Sequence, residues 1–218
     1  SAGTWLLPGA LSNEPAMGEK AFQTGFSNER TGHGKYRPNR PTLGLWLLEQ
    51  AMPHFAKKPN NDAEWDALVE QAGALPESET LIDLNDRNLF SPADMKVAID
   101  KQLRDKGGEP PTEIAGYMRL ICDSLGYGIS LAKNDFEEVI KHSFNQIIMV
   151  GGGSRNRLLC QKIADFSKLR VTSYKLEGTA VGNIAYQLLA LGEIHDISEL
   201  HPVLEKSIEK RSYTPLDS

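Results

Sequence analysis

The sequence predicts an α/β domain with a mixed sheet flanked by helices. The main indication lies between residues 146 and 191, where strand-like and helix-like runs alternate around a glycine-rich turn. A long segment of helical periodicity, residues 113–142, precedes this alternation. Such alternation is typical of a partly parallel sheet with helices on its faces. The 218 residues, 40% of them apolar, suffice to bury a core.

Two helices are predicted in the first third of the chain. Residues 43–52 show helical spacing of apolar side chains, and Pro41 suits the first turn of that helix. Asn61 or Asp62 is expected to cap a second helix near residues 64–72.

A short strand and two longer helices are predicted in the middle of the chain. Residues 80–84 have the composition of a strand, and Ser91 is placed to cap a helix that runs to about Asp105. Thr112 is placed to cap the helix over residues 113–142, which carries one apolar stripe.

The last third carries the alternating pattern. Strands are predicted at residues 146–150 and 169–174, and helices at residues 155–166 and 178–191. Residues 212–218 are expected to be an irregular tail.

Glycines interrupt two of the predicted helices. Gly116, Gly126 and Gly128 lie in the long segment 113–142, and Gly182 lies in the last helix. Because glycine lowers helix propensity, we expect these glycines to serve close backbone packing.

Charge and cysteine content narrow the class of protein. A net charge of −5 gives no general attraction to nucleic acid or to an anionic membrane. The apolar runs are far shorter than a membrane span. Cys122 and Cys160 are predicted to be free thiols, with a disulfide as the alternative. We therefore expect a cytoplasmic protein without nucleic-acid or membrane partners.

The segment Gly151-Gly-Gly-Ser-Arg-Asn156, between a predicted strand and a predicted helix, is the most informative motif. Glycines let a ligand approach the backbone, and the start of a helix presents unpaired N–H groups. Asn156 adds an amide that both donates and accepts hydrogen bonds. The spacing is neither that of a Walker A loop nor that of a dinucleotide fingerprint. The segment is therefore either a ligand-binding turn or a plain strand-to-helix turn.

A second candidate is Ser1-Ala-Gly-Thr-Trp5, whose Gly-Thr pair offers backbone N–H groups and a hydroxyl to phosphate oxygens. A plain hairpin turn is the alternative. The histidines show no metal-ligand spacing. Asp83, Asp86 and Asp94 could hold a metal, but turn and capping roles explain them more simply.

Three segments occur in a specific order along the chain. They are Ser1–Trp5, Phe26–Glu29 with Leu43–Leu48, and Gly151–Leu159. Together they resemble the C-terminal half of the FGGY family of carbohydrate kinases, and within it the rhamnulokinase branch. Thr80–Leu84 and Gly178–Ile184 also look like segments of that family. The resemblance extends to about residue 194. It implies an actin-like ATPase (ribonuclease H-like) lobe.

The resemblance also implies how the whole enzyme is organised. Family members have two lobes with the active site between them, and the C-terminal lobe supplies most of the ATP site. Residues 1–218 would then be the C-terminal nucleotide-binding domain. Its ligands would be ATP with Mg²⁺ and a small sugar, its partner would be the N-terminal lobe, and homo-oligomers are conceivable.

The family's nucleotide-binding positions carry over to named residues. Gly3 and Thr4 match the turn that contacts ATP phosphates. The adenosine loop matches Gly151, Gly152, Gly153 and Asn156.

Two positions depart from the family pattern. Glu49 falls where rhamnulokinases usually have a nucleotide-contacting glutamine. Pro41 falls where they usually have a sugar-contacting asparagine, and proline offers no side-chain hydrogen bond. Either the sugar or the details of contact therefore differ, or the chain is a divergent member of the family.

The family's general-base aspartate lies upstream of the Ser-Gly-Thr-Trp motif, at which this sequence begins. We therefore assign no catalytic residue and no metal ligand, and expect the 218 residues alone to be inactive. The expected function is the ATP-binding lobe of a kinase for L-rhamnulose or a related ketose. The alternatives are a non-catalytic nucleotide-binding or actin-like interaction module, and an unrelated α/β domain.

Overall fold

Among the residues that the structure describes, the chain forms three small sheets with helices packed around them. The computed structural model describes residues 1–32, 34–56 and 58–216. The strands β1 to β7 span Trp5–Leu6, Ser27–Arg30, Tyr36–Asn39, Thr42–Leu43, Gln146–Met149, Arg170–Tyr174 and Lys210–Tyr213. The helices α1 to α8 span Glu19–Gln23, Trp46–Ala51, Asp62–Gly73, Met95–Asp105, Ile114–Ile140, Arg157–Ser167, Gly178–Leu191 and His201–Ser207.

The largest sheet is mixed, as predicted. Its order is β5-β6-β7, with β5 and β6 parallel and β7 antiparallel to β6. Helix α6 makes the crossover between the two parallel strands, since such strands cannot be joined by a tight hairpin. The other sheets are the antiparallel pairs β1–β4 and β2–β3.

Helix α5 runs through the core and packs most extensively on α6. At Gly126 a Cβ atom would lie 2.8 Å from the backbone carbonyl of Lys162 in α6. The predicted close packing at this glycine is thus confirmed. At Gly182 a Cβ atom would meet nothing within 4 Å, so the same prediction is wrong there.

Three predicted helix starts have different outcomes. The side chain of Asn61 accepts a hydrogen bond from the Glu64 N–H at 3.0 Å, which confirms it as the cap of α3. Asp94, rather than the predicted Ser91, caps α4 by accepting from the Val97 N–H at 3.0 Å. Helix α5 begins after Glu113 without a side-chain cap, so the predicted cap at Thr112 is wrong.

The predicted strand at residues 80–84 is wrong. The Ile82 N–H donates to Ser124 Oγ at 2.9 Å, and the Asp83 N–H donates to Gln102 Oε1 at 2.7 Å. Because side chains of α5 and α4 accept from these backbone groups, the segment needs no partner strand.

Three further boundaries differ from the prediction. Pro41 precedes strand β4 instead of opening a helix, and the helix after it begins only at Trp46. A 3₁₀ turn at Gly152–Arg155 precedes α6, which begins at Arg157. The expected irregular tail holds part of β7, whose backbone pairs with β6, while residues 217–218 lie outside the described residues.

Cys122 and Cys160 are free and buried, as predicted. Burial raises the pKa of the Cys122 thiol far above its usual range and raises that of Cys160 to about 12. Within the described ranges, no helix is long and apolar enough to cross a membrane.

The contrast between the two helix glycines gives a matched pair of variants. Gly126→Ala should lower the free energy of unfolding, because overpacking against α6 costs about 1–3 kcal/mol. The accompanying gain in helix propensity is at most about 1 kcal/mol. Gly182→Ala should instead raise the free energy of unfolding by about 0.5–1 kcal/mol. Urea unfolding followed by circular dichroism measures both, and a stabilised Gly126→Ala would contradict the packing.

The thiols should react only after unfolding. Their raised pKa values leave almost no thiolate at pH 8, and burial blocks access. Iodoacetamide at pH 8 should therefore leave both cysteines of the folded chain unmodified, as judged by intact mass. In 8 M urea their pKa values return to about 8.5 and both should be alkylated. Rapid alkylation of the folded chain would refute the burial.

Candidate functional site

A cleft of about 520 Å³ lies where helices, turns and strands from distant parts of the chain meet. Helices α2 and α3, with Leu45 directly before α2, contribute apolar side chains to it, among them Leu48, Trp65 and Val69. The same helices contribute the carboxylates Glu49, Asp62 and Asp66. The remaining lining comes from the first turn of the chain, Met118 of α5, the turn before α6, and the segments of strands β6 and β7.

The cleft gathers most of the residues that the sequence marked for nucleotide binding. Six of the seven line it: Gly3, Thr4, Glu49, Gly152, Gly153 and Asn156. Gly151 is not among the lining residues, and neither is Pro41. Residues about 150 positions apart in the sequence thus share one cavity.

Ala2 joins the two glycine turns. Its N–H donates to the Val150 carbonyl at 2.9 Å, and its carbonyl accepts from the Gly153 N–H at 2.8 Å. Because Ala2 is buried between β5 and α6, the Gly3-Thr4 turn that follows it is held beside the Gly151–Gly153 turn.

The three consecutive glycines have different reasons to be glycine. Gly151 has a φ of +89°, which side chains disfavour, and a Cβ there would lie 2.7 Å from the Ala2 carbonyl oxygen. At Gly153 a Cβ would lie 2.9 Å from the Ala2 Cβ. Gly152 is exposed in the cleft, and a Cβ there would meet nothing within 4 Å. Packing therefore requires two of the glycines, whereas the third leaves space for a ligand.

The first turn is fixed to helix α2 through its carbonyl groups. The Leu45 N–H donates to the Gly3 carbonyl at 3.1 Å, and the Trp46 N–H donates to the Thr4 carbonyl at 3.2 Å. These bonds satisfy backbone N–H groups at the start of α2 that have no partner within the helix. The Thr4 side chain lies at the cleft and is exposed.

Asn156 caps helix α6. Its Oδ1 accepts from the Leu159 N–H at 3.0 Å, and its Nδ2 lies 3.4 Å from Met118 Sδ and 3.7 Å from Cys122 Sγ. Sulfur is a weak acceptor, so the amide N–H groups are only weakly satisfied within the fold. Sequence reasoning missed this cap, although an asparagine directly before an amphipathic helix is its usual signal.

The charges of the cleft are separated. The carboxylates of α2 and α3 lie on one part of the lining, and among the described residues only Arg157 approaches one of the three, at 3.8 Å from Asp66. The residue after β6 is Lys175, the residue before β7 is Glu209, and β7 itself supplies Arg211. Sequence reasoning missed this group, because no element was predicted at residues 209–211 and nothing in the pattern placed them near a site.

The described ranges contain no group of three or more side chains that could by themselves hold a metal ion. Two of the three aspartates considered for that role are caps: Asp86 accepts from the Asn88 N–H at 2.9 Å, and Asp94 accepts from Val97. Asp83 accepts from the Asn85 N–H at 2.9 Å in a turn. The simpler interpretation of these aspartates is thereby supported.

Comparison with known proteins places the chain among sugar kinases. Residues 1–191 match the sequence model described as "FGGY family of carbohydrate kinases, C-terminal domain". A rhamnulokinase from Klebsiella pneumoniae subsp. pneumoniae is 33% identical over 215 residues, which are 99% of this chain and 43% of that protein. The chain thus spans less than half the length of this relative.

Solved structures share the fold. A gluconate kinase from Lactobacillus acidophilus aligns with a TM-score of 0.67 at 14% identity, over 99% of this chain and 42% of that one. A glycerol kinase from Plasmodium falciparum, solved with ADP, aligns with a TM-score of 0.59 at 11% identity, over 97% of this chain and 41% of that one. The predicted actin-like ATPase fold is thereby confirmed. With the match of residues 1–191, this chain belongs to the FGGY family of carbohydrate kinases.

Proposed function

We propose that residues 1–218 are the nucleotide-binding domain of a cytoplasmic kinase that transfers the γ-phosphate of ATP to a hydroxyl of a ketose. The sugar we infer is L-rhamnulose or a close relative, since the rhamnulokinase from Klebsiella pneumoniae is similar along nearly the whole chain. The observation that carries the proposal is the pair of glycine turns joined by Ala2 at one cleft.

The cleft suits the two chemical halves of ATP. Backbone N–H groups at glycine turns bind phosphate oxygens. Gly3 and Gly152 both leave open space where a side chain would stand, although the Gly3 N–H itself donates to the Trp5 carbonyl at 3.0 Å. The apolar side chains of Leu45, Trp65 and Val69 offer a surface for the adenine base. Thr4 adds a hydroxyl donor beside the first turn.

A magnesium ion would arrive with the nucleotide. Mg²⁺ is commonly held by one or two carboxylates together with substrate phosphates, so the domain needs no cluster of three protein ligands, and the described residues contain none. When bound, the ion would neutralise charge on the phosphates. The chain's own residues would hold the phosphates in line and exclude water, which is the main protein contribution to phosphoryl transfer.

The glycine turn offers a sharp test of nucleotide binding. Gly152→Val adds a branched side chain in open space, so it should fold normally and abolish ATP binding by obstructing the approach to the backbone. Calorimetric titration with ATP measures the affinity, and circular dichroism checks the fold. Unchanged affinity would show that the turn is only structural.

Gly153→Val is the matched control within the same turn. Its side chain would collide with Ala2 and should lower the thermal unfolding midpoint, whereas Gly152→Val should leave that midpoint unchanged. If both variants lowered the midpoint equally, the loss of ATP binding by Gly152→Val would result from a disrupted fold and not from a blocked site.

We further propose that the 218 residues alone do not phosphorylate sugar. General-base catalysis needs a group within about 3 Å of the attacking hydroxyl, and we assign that group and the sugar site to the other lobe of the enzyme. Correct orientation of the sugar is worth roughly 7–11 kcal/mol and would be lost as well. A coupled assay of ADP release with L-rhamnulose, L-fuculose and D-xylulose should show no sugar-dependent rate. Turnover that Thr4→Ala abolishes would contradict this assignment.

A further inference from the structure

One face of the strand pair β6–β7 belongs to the cleft. In the antiparallel register Ser173 lies opposite Arg211, and Tyr174 lies opposite Lys210. Alternate residues on both strands and just beyond them line the cleft: Ser173, Lys175, Glu209, Arg211 and Tyr213. The intervening residue Lys210 is not among the lining residues and pairs with Glu205 instead.

Strand β7 lies beyond the part of the chain that matches the family model, which ends at residue 191. The three lining residues from 209 to 213 therefore come from a segment outside that match. The family description thus assigns them no role, although they complete the cleft.

The charged groups of this face form one linked cluster. Glu209 accepts from Arg211 at 3.0 Å with one carboxylate oxygen and lies 3.5 Å from Lys175 Nζ with the other. One carboxylate thus serves two cations, and the cluster keeps a net positive charge. Arg155, exposed at the end of the glycine turn, also lines the cleft and has no ion-pair partner among the residues described. The carboxylates Glu49 and Asp62 lie on the helices that line the rest of the cleft.

The cluster is connected directly to the glycine turn. The Gly151 N–H donates to the Leu176 carbonyl at 3.0 Å, and Ser154 Oγ donates to the Tyr174 carbonyl at 3.0 Å. Lys175 lies between these two anchored residues, and its own N–H donates to the Glu209 carbonyl at 2.9 Å. Hydrogen bonds on both sides therefore fix the backbone that carries the cations.

We propose that Arg211 and Lys175 bind the polyphosphate of the nucleotide, and that Glu209 restrains both cations until the phosphates compete for them. This inference rests on the proposed function, since it specifies how the same cleft holds ATP. Arginine and lysine beside a phosphate form charge-assisted hydrogen bonds, and a polyanion is drawn to the cationic part of a cleft with separated charges.

The test compares two cations of the same strand. Arg211→Met should weaken ATP binding by about tenfold to a hundredfold and leave adenosine binding unchanged, because only ATP carries the phosphates. Lys210→Met removes a cation of β7 that is absent from the cleft lining and should change neither affinity. Calorimetric titration of the full 218-residue chain with ATP, ADP and adenosine gives these values, and Lys175→Met provides a second variant should Arg211→Met fold poorly.

The variant Glu209→Gln should change the affinity for ATP in the opposite direction. Removing the shared carboxylate frees both cations, so ATP should bind several-fold more tightly while adenosine is unaffected. A purely structural role would instead weaken both ligands together. Equal ATP affinity of Arg211→Met, Lys175→Met and the unsubstituted chain would overturn the inference but leave the proposed function intact. Failure of the unsubstituted chain to bind ATP would overturn both.

Discussion

The geometry of the cleft depends on the backbone of one residue, Ala2. Its N–H and carbonyl bond to the end of β5 and to the turn before α6, so a single peptide segment connects both glycine turns. The side chain is small and buried, and its Cβ is the atom that a side chain at Gly153 would meet. A larger residue at either position would separate the turns. The shape of the cleft therefore depends on the close packing of Ala2 against Gly153.

This constraint gives adjacent residues of one motif different roles. Gly151 and Gly153 are glycines because the backbone and Ala2 leave no room, whereas Gly152 is open to the cleft. Asn156 likewise uses one end of its amide to begin helix α6 and leaves the other end against sulfur atoms. Within residues 151–156, positions that maintain the fold thus alternate with positions that face the ligand. Substitutions at neighbouring positions will therefore affect either stability or ligand binding.

Much of the fold could be predicted from local pattern. The spacing of apolar residues in the sequence correctly predicts strand β5, helix α7 and the long helix α5, because the packing of these elements agrees with that spacing. The strand predicted at residues 80–84 fails because side chains of α4 and α5 accept from its backbone, which periodicity does not reveal. Strand β7 escapes prediction because its residues Lys210–Tyr213 are mostly polar, and only pairing with β6 makes them a strand. Six of the seven predicted site residues share the cleft, but which glycine is open depends on a residue 150 positions away.

The distribution of charge in the cleft follows from this same tertiary pairing. Helices α2 and α3 supply carboxylates and apolar groups, while β6 and β7 supply cations bridged by Glu209. Interactions between charges strengthen where protein walls exclude water, so such separation produces a field across the cavity. A ligand with an apolar end and an anionic end has one favourable orientation in that field. Strand β7, which the sequence pattern does not reveal, thereby determines which orientation of the ligand the electrostatic field of the cleft favours.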